Sequence, residues 1–93
     1  MIIKLAMYSV KPERVEIVKK VIPEFVNSIK QNEPETFYES YNYEENSFVH
    51  LMKFKTREAE EYHRNSEHTK KFVEIIYPEC IKPPVFKDLE EVK

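Results

Sequence analysis

The sequence predicts an α+β fold whose elements run β-α-β-β-α-β, a four-stranded antiparallel sheet with helices on one face. Three observations carry this expectation. Strand-like alternation occurs at 1–10, 35–43, 47–55 and near 85–89. Stretches of helical spacing separate the first strand from the second and the third from the fourth. The second and third strands are joined by Glu44-Glu45-Asn46 alone, the length of a hairpin turn. This is the split βαβ, or ferredoxin-like, order. At 93 residues the chain is expected to form one domain spanning 1–93, with 90–93 as a frayed tail.

The first strand places Ile3, Leu5 and Met7 on one face and Ile2, Ala6, Tyr8 and Val10 on the other, so both faces ask to be covered. Pro12 suits a first helical position and Glu13 suits the positive end of the helix dipole. Val15, Val18, Ile22, Phe25, Val26 and Ile29 then recur at helical spacing to about Asn32. Pro23 removes one backbone donor and is expected to kink this helix, and Asn32-Glu33-Pro34 ends it. In the second strand Phe37, Glu39, Tyr41 and Tyr43 share one face, while Thr36, Tyr38, Ser40 and Asn42 form a polar stripe on the other. In the third, Phe48, His50, Met52 and Phe54 oppose Val49, Leu51 and Lys53. Thr56 is an N-cap for a helix to about Arg64, and Ser66 a cap for a further segment that Pro78 stops. Pro83-Pro84 introduces the last strand.

Composition removes several function classes. The chain is 41% hydrophobic and 34% charged, which suits neither a disordered nor a membrane-spanning protein. It has no apolar run near eighteen residues, and Met1 leads straight into a strand-like segment, so no signal peptide is expected. Fifteen basic against seventeen acidic side chains argue against nucleic acid as the main partner. The single Cys80 has no internal disulfide partner, which makes a reducing cytoplasm the expected compartment. Glycine is absent altogether, so Walker and dinucleotide-binding loops are excluded and no nucleotide cofactor is expected. Asn46 is the expected left-handed residue of the hairpin turn.

A sheet with helices on one face leaves the other bare. Here that face is apolar and aromatic, and a homodimer packed sheet to sheet is the expected cover.

His68 is the first chemical candidate. It follows a cap position near the positive end of a short helix, which favours a neutral imidazole able to take a proton from a phenol or an enolisable carbon. A structural histidine bonded to a backbone carbonyl is the competing reading. His63 lies about 140° from His68 on an unbroken helix, so the two converge only if Asn65-Ser66 breaks it. Otherwise His63 packs at a helix end. His50, mid-strand between Phe48 and Met52, either lines a pocket or is satisfied by a tyrosine or asparagine of the second strand. If the polar stripe faces the helices, Tyr38 can orient a substrate hydroxyl or carbonyl, with Asn42 further along it; a partly solvated face is the competing reading. No Cys-x2-Cys or His-x3-His spacing occurs, so no metal site is expected, and Cys80 has no activating base nearby in sequence.

The third strand and the helix after it, FVHLMKF followed by TREAEEYHRNSEHTKKF, carry a further signal. Ala59, His63, Ser66, His68 and Phe72 resemble the helix motif of the antibiotic biosynthesis monooxygenase (ABM) family, and Tyr38-Glu39-Ser40-Tyr41 resembles its Tyr-Glu-Leu-Tyr strand. The resemblance spans essentially the whole chain. It implies a dimeric α/β barrel and a cofactor-independent monooxygenase acting on a small phenolic, quinol or enolisable substrate in a cleft between sheet and helices. His68, His63 and Tyr38 would be catalytic, and His50, Asn42 and Phe54 would bind substrate, Phe54 standing where relatives often carry tryptophan. The haem-degrading branch uses an Asn, a His and a Trp, and this chain has no Trp. A non-oxidative isomerase resembling the autoinducer-2-processing branch, and a non-catalytic ligand-binding dimer, are the alternatives.

Overall fold

The computed structural model describes residues 1–93. Strand β1 (Ile2–Ser9) is followed by a 3-10 turn at Pro12–Arg14 and helix α1 (Val15–Asn32). Strands β2 (Thr36–Tyr43) and β3 (Ser47–Phe54) form the hairpin. Helices α2 (Arg57–Asn65) and α3 (Glu67–Ile76), a 3-10 turn at Tyr77–Glu79 and strand β4 (Val85–Leu89) complete the order. All pairings are antiparallel and the sheet order is β2-β3-β1-β4. The chain therefore has the ferredoxin-like α+β architecture, and no helix is long and apolar enough to cross a membrane.

One sheet face carries the main core. Tyr8, Val10 and Phe48 pack against Val18, Ile22, Phe25 and Ile29 of α1 and against Phe72 and Ile76 of α3. Phe25 and Phe72 stack with centroids 4.1 Å apart, which clamps the two helices together. A smaller cluster of Ala6, Met52 and Phe54 lies towards the other end of the strands. The register pairs Ala6 with His50 and Tyr8 with Phe48, so a histidine is carried on the same buried face as the core aromatics.

Local differences from the sequence expectation have physical reasons. The helical segment opens as a 3-10 turn, Pro12 being suited to a tight first turn. α1 then runs unbroken through Pro23, since tertiary packing of Ile22 and Phe25 on either side outweighs the lost hydrogen bond. The left-handed hairpin residues are Glu44 (φ 49°) and Glu45 (φ 64°), not Asn46. Asn46 is instead used as a brace, its Nδ2 donating to the Val10 carbonyl at 2.8 Å. Two glutamates with positive φ cost about 1–2 kcal/mol each, a strain that the eight-residue ladder between β2 and β3 sustains.

Candidate active site

The site begins with a proline. Pro34 disfavours helical geometry at the residue before it, so α1 stops at Asn32 and Glu33 turns extended (φ −129°, ψ 80°). The Glu33 side chain is thereby directed inward and is almost completely buried. A second break is equally important. Thr56 caps α2 by accepting from the Ala59 amide at 3.0 Å. At the other end Ser66 adopts an extended conformation (φ −71°, ψ 148°) and separates α2 from α3. Its hydroxyl does not cap α3. It donates back to the Tyr62 carbonyl, while Asn65 Nδ2 donates to the Glu61 carbonyl at 2.9 Å, so the end of α2 is satisfied from its own last turn.

The break brings His63 and His68 to centroids 6.3 Å apart, and both meet Glu33. A carboxylate only accepts, so the facing ring nitrogens carry the protons. His63 Nδ1–H donates to Glu33 Oε2 at 2.9 Å and to Oε1 at 3.1 Å. His68 Nε2–H donates to Oε2 at 2.5 Å. Burial alone would raise the Glu33 pKa, but these two hydrogen bonds outweigh it and hold the carboxyl below its usual 4.5. With its proton on Nδ1, a neutral His63 keeps its lone pair on Nε2, and no protein group bonds to that atom.

His63 is also part of the wall of a cavity of about 480 Å³ between the sheet and helices α2 and α3. That volume lies within the range of small-molecule sites. The lining is mostly apolar, with Phe25, Met52, Phe54, Phe72 and Phe86 among it. His50 forms a second polar centre in the same wall. Its Nε2 meets the Tyr8 hydroxyl at 2.8 Å, and its Nδ1 meets Tyr38 at 2.8 Å and Ser40 at 2.9 Å. Burial, and secondarily the nearby His63, lowers the His50 pKa to about 4. Burial likewise raises both phenols, so the network is neutral at neutral pH. A neutral imidazole has one donor and one acceptor. The ring N–H therefore donates to Tyr8 on one side, or to Tyr38 or Ser40 on the other, and the hydroxyl that accepts it keeps its own proton. Thr69 also lines the cavity, and its hydroxyl oxygen is buried without a protein partner. At the rim, Lys4 approaches Glu60 at 3.8 Å and Asp88 at 3.9 Å, and Arg64 pairs with Glu60 at 3.0 Å.

The structure thus brings His63, His50, Tyr38 and Phe54 onto one cavity. His68 is held behind the wall. It opens on a separate small cleft beside Val21, Glu24 and Lys71 and contacts a carboxylate rather than a backbone carbonyl. Asn42 braces the hairpin turn, donating to the Glu45 and Ser47 carbonyls. Cys80 does not line the cavity; its Sγ meets the Ile76 carbonyl and burial raises its pKa. Sequence reasoning passed over Glu33 and Tyr8. A glutamate at the negative end of a helix dipole, beside a proline, is a misplaced charge that signals an outside partner. A lone hydroxyl on the face shared by Ile2, Ala6 and Val10 is the corresponding signal for Tyr8.

The His50 network makes stability pH-dependent. Its folded pKa of about 4 lies below the unfolded 6.5, so the unfolded chain takes up the proton first. Unfolding free energy is expected to fall as pH drops from about 6.5 to 4, by about 3 kcal/mol in all. Glu33, also lowered, adds its own loss only below about 4.5. Denaturant titrations between pH 7 and 5 should show this slope in the wild type and a flatter one in His50→Gln; equal slopes would contradict it.

Among curated proteins none matches the chain. Solved structures do. An antibiotic biosynthesis monooxygenase crystal structure superposes with a TM-score of 0.90 at 23% identity, covering 100% of both chains. A putative antibiotic biosynthesis monooxygenase from Caulobacter crescentus CB15 gives 0.90 at 22% identity, covering 99% of this chain and 90% of that one. Another from Bacteriodes thetaiotaomicron VPI-5482 gives 0.88 at 19% identity, covering 99% and 90%. At these identities the likeness is one of fold. The family model described as antibiotic biosynthesis monooxygenase matches residues 1–75, and on that match the chain belongs to the antibiotic biosynthesis monooxygenase family.

Proposed function

We propose that this protein is a cofactor-independent monooxygenase of a small phenolic, quinol or enolisable substrate, and that His63 is its general base. The observation that carries the reading is a cavity-lining imidazole whose Nδ1–H is held by a buried carboxylate. That arrangement leaves Nε2 as acceptor and stabilises the imidazolium formed when it takes a proton. The substrate anion then adds dioxygen to form a carbon–oxygen bond. The peroxide recovers a proton from His63, and loss of water leaves a carbonyl. The substrate supplies all the electrons, one oxygen atom entering the product and the other leaving as water. Tyr38 and Tyr8, neutral and bonded to His50, orient the substrate oxygen, and the phenol that accepts from the His50 ring donates to it as charge develops. Phe54, Phe25 and Met52 exclude water around the ring. His68 acts through Glu33 as a positioning residue, and Asn42 serves the hairpin.

Isomerisation is the second reading, favoured by the same pairing of a base with neutral hydroxyl donors in one cavity. Anaerobic turnover would select it; oxygen consumption stoichiometric with product selects the first.

The partner in this reading is a second copy of the chain, and a reducing cytoplasm suits its one free cysteine. The sheet face away from the helices carries Leu5, Met7, Val49 and Leu51 at its centre, with Phe37, Tyr41 and Val85 exposed around them. A patch of this kind is rarely left in water. Sedimentation is expected at twice the chain mass of 11.3 kDa, with Leu51→Glu shifting it towards the monomer; a monomeric wild type would refute the dimer.

Removing the base should reduce turnover of a quinol and phenol panel. His63→Ala is expected to lower kcat by ~10²–10⁴-fold with retained fold. Glu33→Gln should lower kcat with little change in KM, and Glu33→Asp should recover part of it. Unchanged kcat in His63→Ala would remove His63 from the mechanism.

A further inference from the structure

The Glu33 carboxylate has an electrostatic feature that a base dyad leaves unused. It is buried, and its only ion-pair partners are His63 and His68, with no lysine or arginine among them. Both partners are neutral unless protonated, so the group draws a further positive charge. Glu33, His63 and His68 each offer one ligand atom, and these atoms all lie within 4.8 Å of one another. Adjacent ligands at ~2.1 Å around a tetrahedral ion stand ~3.4 Å apart. The Oε2 to Nδ1 separation of 2.9 Å must open by roughly half an ångström and the 2.5 Å contact to His68 by roughly one, and His68 sits at the looser, outer edge of the cluster. Glu33 is also among the residues lining a cleft of about 270 Å³ whose walls include Glu35 and Glu58, while its carboxylate itself is buried. Acidic walls concentrate cations at the entrance.

We propose that Glu33, His63 and His68 form a binding site for a first-row divalent cation, and that occupancy switches off the base at His63. Two imidazoles and one carboxylate suit such ions. The chemistry follows from the tautomer. A cation on His63 Nδ1 takes that lone pair, so the ring proton moves to Nε2, the atom proposed above as the acceptor. Nε2–H has no lone pair and cannot accept a proton from substrate. In the same way the His68 proton moves to Nδ1. No electron transfer is involved. The binding half of this proposal stands without the functional reading above; the silencing half rests on it.

Zn²⁺ and, for its visible spectrum, Co²⁺ are the probes. Calorimetric titration of the full chain should show one ion per chain and a raised Tm. Affinity should fall at least ~10-fold in Glu33→Gln and in His68→Gln, the second at the outer edge where folding is least at risk. Cys80→Ser should bind as the wild type does. Absence of binding at millimolar Zn²⁺, or binding unchanged in both cluster variants, would overturn the site. Where the metal-free protein turns over a quinol, activity should decline along the binding isotherm, and full turnover in the Zn²⁺-saturated protein would overturn the silencing. A metal-free protein with no turnover counts against the base reading, and calorimetry alone then decides the site.

Discussion

Burying one carboxylate organises this molecule. Glu33 comes from a loop, yet it sits deeper than most of the helical residues around it. A buried charge is tolerated only where donors meet it. Two imidazoles supply them, and both come from the segment that Ser66 divides into α2 and α3. The proline that ends α1, the break at Ser66 and the placement of both short helices are therefore parts of one arrangement. Phe25 packs beside both rings, at 5.9 and 6.1 Å, while stacking on Phe72. That apolar surround lowers the local dielectric and strengthens the hydrogen bonds it encloses.

The same principle separates two histidines that share a cavity. His63 is bonded to a carboxylate, which holds its ring proton on Nδ1. His50 is bonded only to hydroxyls and is kept neutral by burial, its pKa about 4. Tyr38 lies between them, its ring 5.6 Å from His63 and 5.5 Å from His50. One wall of the cavity thus offers an acceptor, and the next offers neutral donors. A substrate that loses a proton at one atom and gathers charge on a neighbouring oxygen suits that division of labour.

Fold and site differ in how far the sequence discloses them. Strand alternation and helical spacing are local patterns, and they account for the order of elements, the hairpin and the face that carries His50. Convergence of His63 with His68 is conditional in the sequence, because a break at Asn65-Ser66 is a matter of one residue's ψ angle. Glu33 is the least legible, since its partners lie thirty and thirty-five residues away. Its oddity as an acid at the negative end of a helix is visible, but its target is not. The hairpin shows the reverse difficulty. Asn46 has the better intrinsic tolerance of positive φ, yet register against β1 and β3 places Glu44 and Glu45 there.

The central claim is that Glu33 fixes the His63 tautomer and leaves Nε2 as the proton acceptor in the cavity. Histidine side-chain ¹H–¹⁵N correlation spectra of the metal-free protein at neutral pH test this directly. A protonated Nδ1 and an unprotonated Nε2 at His63, lost in Glu33→Gln, are the expected result. A ring protonated on Nε2 alone would contradict the account.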